Sequence, residues 1–421
     1  MSAVAKFHRR YRAETADLGL FDWDGFIADD APDWAQALRK RGHENVIANG
    51  LPTPKLERFK YFNLPAWLKK NELSYKPADI AIDGNTDYVT QFGPRCSYIP
   101  DWTQEAAESA PIGEDKYGDM MLWRLSDAYF KDGIVVDVPA NTKSDAPLNL
   151  TITGHDGAVT MPRLIIRVAK GSDFTLCEYH IGQGAAWNNA VTQVIIEEGA
   201  RFRHYRMQEN PHEAAYTQNT HVKVADGAQY EAFTLTNGAA QSRHQLHVEL
   251  QGPEASCDLN GINILSGKQN ADTTITVEHQ APQCRSNQNY RNVVTDQATG
   301  IFQGKVHVHQ IAQQTDGYQL SNSLLLSPQA VMNTKPELEI YADDVKCSHG
   351  ATSGRLDEKA LFYLRSRGIP ELQARALLIQ AFVSEVMEDI SFDPIKEQGE
   401  HIVQRWLDHA TLSVHTDWVE E

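Results

Sequence analysis

From about Gly133 to Val345 the chain runs in short β-branched stretches: Ile134-Val135-Val136, Leu148 to Ile152, Leu164 to Val168, Val191 to Ile196, His221 to Val224 and Leu246 to Leu250. Gly, Asn and Asp separate them, so the pattern predicts strands throughout this stretch. A turn signature recurs within it, as Lys170-Gly171-Ser172, Glu198-Gly199-Ala200, Asp226-Gly227-Ala228 and, degraded, Gly252-Pro253-Glu254-Ala255; its last residues are spaced by 28, 28 and 27. After each turn comes an alternating strand: Asp173 to His180, Arg201 to Met207, Gln229 to Thr236 and Ser256 to Ile264. A period of this length predicts a β-solenoid, in which each coil buries its face on the next. The alternative is a β-sandwich with regularly spaced hairpins.

Helical spacing flanks the β region. Between Ala31 and Asn71 it appears in short pieces, as at Trp34, Leu38 and Pro65 to Leu68, broken by Asn49-Gly50-Leu51-Pro52-Thr53-Pro54. Residues 72 to 117 lack periodicity, and Tyr117 to Phe130 reads as a helix with Met121, Leu122, Leu125 and Tyr129 on its apolar positions, capping the β region. Near the other end Asp357 is placed to N-cap a helix through Leu361, Phe362, Leu364 and Arg365, with Gly368 at its C′ position. Pro370 opens a second helix, Glu371 to Asp389, whose apolar residues nearly encircle it, and a third runs from about Ile395 to His409. These helices form either a hairpin packed on its own domain or a docking site for another protein. The organisation expected is a mainly helical region at 1–95, a β-helix core at 96–345 with a capping helix near 117–130, and a helical domain at 346–421.

Composition narrows the class. With 421 residues, 41% hydrophobic and 23% charged, the chain is a folded protein of more than one structural unit. Counting 39 Lys and Arg against 56 Asp and Glu gives a net charge of −17, which disfavours a nucleic-acid partner. No apolar stretch is long enough to span a membrane and no secretory h-region follows the N-terminal arginines, so neither a membrane nor export is expected and the cytoplasm is the default location. Five cysteines, Cys96, Cys177, Cys257, Cys284 and Cys347, form neither a C-x-x-C pair nor a disulfide framework.

Candidate chemistry is sparse. There is no P-loop, no strand followed by G-x-G-x-x-G, no G-x-S-x-G and no H-E-x-x-H. His204, His221, His244, His247 and His279 stand singly in strands, where a hydrogen-bonded histidine is the usual outcome. His307-Val308-His309 places two imidazoles on one strand face and is a chelating pair without a third donor in sequence reach. Cys347-Ser348-His349 has the same geometry and pairs a thiolate with an imidazole, donors suited to zinc or iron-sulfur chemistry. Its other reading is a buried structural cysteine beside a solvated histidine.

The segment Asn333 to Thr352, which contains Lys346-Cys347-Ser348-His349-Gly350, together with Leu361 to Ile369, resembles the SufB/SufD family of the SUF iron-sulfur cluster assembly system. Phe302-Gln303-Gly304-Lys305, Gln314-Thr315-Asp316-Gly317 and Asn322 to Ser327 are similar to the same family, and Gly50 to Tyr61 is similar to the N-terminal motif of its SufD branch. The resemblance implies a right-handed parallel β-helix between N- and C-terminal helical regions. It also implies a scaffold subunit, not itself an enzyme, that pairs with SufB through the β-helix and binds the ATPase SufC through its C-terminal helices. Asp357, Leu361, Phe362, Tyr363, Arg365, Arg367 and Gly368 are the implied SufC-docking region. His349, and less firmly Cys347, are the implied ligands of a transient iron-sulfur cluster shared with SufB, and a homodimer of the isolated chain is an open expectation. A SufB-like paralogue and a carbohydrate-active β-helix enzyme are the alternatives.

Overall fold

The computed structural model describes residues 31–93, 96 and 120–409. The β region is a parallel solenoid with two walls. One sheet contains β4 (Gly133–Val138), β7 (Arg163–Val168), β9 (Trp187–Ile196), β11 (Ala215–Val224), β13 (Gln241–Leu250), β15 (Asn270–His279), β17 (Thr299–Val308) and β19 (Val331–Ile340) in that order, with the short β6 (Ala158–Thr160) also paired to β9. The facing sheet contains β5 (Leu148–Gly154), β8 (Asp173–Gly182), β10 (Arg201–Asn210), β12 (Gln229–Gly238), β14 (Ser256–Leu265), β16 (Arg285–Val294), β18 (Thr315–Leu325) and β20 (Val345–Gly354). Successive coils pair in parallel, Asp173 with Arg201, Arg201 with Gln229 and Gln229 with Ser256, so the turn spacing in the sequence is the register of the sheet. This is the solenoid, and the sandwich alternative is excluded.

The turns explain the period. Gly171, Gly199 and Gly227 have φ of 68°, 64° and 60°, and the same left-handed position recurs at Asn141, Glu254, Gln283 and Gln314 with φ of 59° to 61°. Each turn donates its amide to the next coil: Gly171 N to Glu198 O, Gly199 N to Asp226 O, Gly227 N to Pro253 O, Glu254 N to Pro282 O and Gln283 N to Gln313 O. The corner therefore continues through the degraded signature at Gly252-Pro253-Glu254-Ala255 and on through Gln283 and Gln314, where the signature is absent.

Inside, one half of each coil is apolar. Phe174, Phe202 and Tyr230 stack from coil to coil with centroids 6.0 and 5.9 Å apart, facing Val222, Val248 and Val277 of the other wall. Burial of each such side chain stabilises the fold by about 1.5–3 kcal/mol.

The N-terminal residues close the first coils. Helices α1 (Asp33–Asn49), α2 (Leu64–Leu68) and α3 (Met121–Tyr129) cover the outer face of the first sheet, where Met121, Leu122 and Leu125 cluster with Trp187 and Ala215. The start of the capping helix, at 117–119, lies outside the described residues. Residues 74–92, where the pattern predicted no elements, form β1 (Ser74–Tyr75), β2 (Asp79–Asp83) and β3 (Val89–Phe92). β2 and β3 pair antiparallel with β5 and β4 and so occupy the first edges of both sheets. Strands this short carry too few alternations to be read as a period.

At the other end α4 (Glu358–Ser366), α5 (Glu371–Met387) and α6 (Asp393–His409) fold back on the second sheet. Ile379, Val383, Val386, Ile402, Val403 and Trp406 form one buried cluster with Tyr205, Met207, Phe233, Leu235, Ile262 and Ile264. Arg291 clamps α5 through Glu385 at 2.8 Å, and Tyr179 donates to Gln398 of α6 at 2.8 Å. The apolar girdle of α5 is buried on its solenoid side, whereas Leu372 and Leu377 remain exposed.

Candidate functional site at the open end of the solenoid

Cys347 and His349 lie on β20, the outermost strand of the second sheet. β20 pairs with β18 on one side only, and β19 with β17 on one side only, so among the described residues both walls end on unpaired edges. Burial changes accordingly: interior strands are almost wholly buried, while β20 is mainly exposed. Cys347 is half-buried, packed with the small cluster of Val306, Val308, Ala312 and Ala342, and His349 is exposed. Two residues apart on one strand, they share a face. Burial raises the Cys347 thiol above its ordinary pKa, a backbone hydrogen bond at Gly317 opposes this, and the Asp316 carboxylate adds to it. The protonated thiol is therefore favoured over the thiolate.

The neighbouring strand places Gln319 in register with His349. A Cβ at Gly304 would collide with the Gln319 side chain, so the glycine makes room for this amide inside the last coil. Both polar atoms of Gln319 are buried without a hydrogen-bond partner. Cys347 and His349 thus share a strand face at the end of the solenoid, with the buried Gln319 amide in register beside His349 on the neighbouring strand.

The helical candidates lie beyond this strand. Asp357 caps α4, its carboxylate accepting from Lys359 N at 2.8 Å and Ala360 N at 3.4 Å, and Gly368 ends it with φ +86°. Leu361 is buried and holds α4 in place, whereas Phe362 and Tyr363 are 73% and 57% exposed. Arg365 reaches Glu371 at 3.4 Å, and Arg367 lies 5.2 Å from the Tyr363 ring centroid while donating to its hydroxyl at 3.2 Å. The structure thus presents Phe362, Tyr363, Arg365 and Arg367 to solvent and uses Asp357, Leu361 and Gly368 to shape the helix.

Sequence reasoning missed a buried polar row inside the solenoid. Glu178 accepts from His204 at 2.8 Å, His180 at 2.9 Å and Gln218 at 3.1 Å, and His204 also meets the Tyr230 hydroxyl at 3.0 Å. Burial opposes ionisation of Glu178, but the His204 charge and both imidazole hydrogen bonds outweigh it and hold the carboxyl well below its usual range. Of the histidines read singly, His221 and His247 are register neighbours on adjacent coils, and His204 is held by Glu178 of the coil before it. Aligning the repeats, not the spacing within one strand, is the signal that reveals them.

The architecture is a parallel solenoid with cysteine and histidine on the free edge of one wall and helices folded against that wall. Comparison with known proteins identifies its lineage: residues 150–382 match the family model for the SUF system FeS cluster assembly SufBD core domain, and the chain belongs to the SufBD family of iron-sulfur cluster assembly proteins. It is 34% identical over 307 residues to an iron-sulfur cluster assembly SufBD family protein of Synechocystis, covering 69% of this chain and 68% of that one. It is 32% identical to the chloroplastic protein ABCI7 of Arabidopsis thaliana, over 70% of this chain and 65% of that protein. With the Escherichia coli iron-sulfur cluster assembly protein SufD it shares 29% identity over 84% of this chain and 89% of that one. No described helix is long and apolar enough to cross a membrane.

Proposed function

We propose that this chain is a SufD-type scaffold subunit that pairs with SufB through the open end of its solenoid and carries SufC on its C-terminal helices. The observation that carries this reading is the position of Cys347 and His349 on β20, whose free edge offers backbone groups to a second β-helix. His349 supplies one imidazole to a transient cluster shared with SufB, and Cys347 supports the interface or adds a thiolate. Phe362 and Tyr363, too exposed to serve the chain's own core, form the SufC contact with Arg365 and Arg367. The chain itself catalyses no reaction, ATP hydrolysis belongs to SufC, and the complex works in the cytoplasm. In the isolated chain the same free edges are the surface through which two copies would pair.

The test is anaerobic cluster reconstitution on the complex co-expressed with SufB and SufC, comparing wild type with His349→Ala. Iron and sulfide content and complex integrity on gel filtration are measured together. An intact complex that loses its cluster supports ligation by His349. Full loading of the variant confines the chain to scaffolding, and failure to associate with SufB or SufC overturns the reading.

A further inference from the structure

His307 lies on β17 and His309 just past its end, where its amide still donates to His279 O, and the fold supplies the third donor their spacing lacked. Register pairs Glu278 of β15 directly with His307. One donor atom each from Glu278, His307 and His309 lie within 4.8 Å of one another. Glu278 Oε2 is 3.3 Å from His309 Nε2, close to the separation of about 3 Å between adjacent donors on one ion, and the two imidazoles stack with centroids 4.4 Å apart. His221, His247 and Glu249 form a second such group on the same face. Glu278 joins the two, its Oε1 lying 3.5 Å from His247 Nε2, an atom shut away from solvent without a hydrogen bond. The Lys305 ammonium on the same strand is taken up by Glu339 at 2.8 Å.

We propose that Glu278, His307 and His309 bind one divalent first-row transition metal ion on the outer face of the first sheet. Two imidazoles and one carboxylate on the same side of an ion leave its remaining positions open to water or to an incoming sulfur donor, as in a site that receives and releases metal. The site lies one strand from the free edge but on the wall opposite Cys347 and His349, and so is separate from them. That Fe(II) is the ion carried in the cell rests on the function proposed above; metal binding by the isolated chain does not.

The experiment is anaerobic titration of the EDTA-treated full chain with Co(II), read by visible absorption, and with Fe(II), read by metal content after gel filtration. Wild type is expected to bind one equivalent, with Glu278→Gln and the His307→Ala/His309→Ala pair each weakening it by more than about tenfold. Glu198→Gln, at an exposed corner away from the site, should bind as wild type does, and circular dichroism checks that every variant is folded. Absence of Co(II) binding by wild type, or unchanged binding by folded Glu278→Gln, overturns the site even if the complex with SufB and SufC forms and loads its cluster. A site that binds Co(II) in a chain that fails to associate with them overturns only the functional reading.

Discussion

The titratable residues inside the solenoid make the protein sensitive to acid. His247 and His279 are pushed down to about 4, mainly by burial, with the His221 charge adding to the effect at His247. Between that value and the ordinary 6.5 the unfolded chain binds more protons than the folded one, so stability falls as pH is lowered through this window. At full titration each costs on the order of 3 kcal/mol. Glu178 acts in the same direction lower down: its pKa is depressed in the folded state, so its contribution is present above 4.5 and is lost as pH falls below it. Urea midpoints measured from pH 7 to pH 4 should fall steadily, and Glu178→Gln should lose about 3 kcal/mol at pH 7 by leaving two buried imidazoles without their carboxylate. A flat pH profile would contradict this. At this scale the sequence was legible where residues interact along one strand, as at His307-Val308-His309. It was not where partners such as His204 and Glu178 meet only through the coil-to-coil register.

Elements were legible wherever a pattern had length. The ten-residue strands, the Asp357 cap and the Gly368 stop are all readable because each follows from local backbone chemistry. The corners were legible where glycine marked them and, in degraded form, at Gly252-Pro253-Glu254-Ala255, but not at Gln283 and Gln314; Glu254, Gln283 and Gln314 take the same left-handed conformation with a side chain that resists it. Relief of that resistance is worth about 1–2 kcal/mol, less about 0.5–1 kcal/mol for glycine's freer unfolded chain. Gln283→Gly, at an exposed position, should therefore stabilise the fold by about 0.5–1 kcal/mol, seen as a higher denaturant midpoint. A loss of stability would mean that the Gln283 side chain contributes to the corner.

Across the whole molecule, protection is graded along the solenoid axis. β12 has neighbours on both sides and nearly complete burial, whereas β20 has one neighbour and mostly exposed side chains. In hydrogen exchange the amides of Val345–Gly354 should exchange faster than those of Gln229–Gly238 and gain protection when SufB is added. Unchanged exchange across β20 in the complex would remove this edge from the interface. The fold class was legible because one period repeats along the chain, and the end of the β region near Cys347 because the strand pattern gives way there to helical spacing; that β19 and β20 each pair on one side only, among the described residues, comes from the coil-to-coil arrangement.

The corner geometry also governs how such a protein can diverge. Offsets between paired strands range from 26 residues, Ala215 to Gln241, to 32, Thr299 to Val331, while nearly every strand from β8 onward keeps ten residues. Insertions are thus absorbed at the corners, whereas one residue lost within a strand would turn the rest of that strand inside out. A lineage can lengthen its corners, or add and delete whole coils, without disturbing the residues on the terminal strand. The reach of the scaffold and the chemistry at its tip are free to evolve separately.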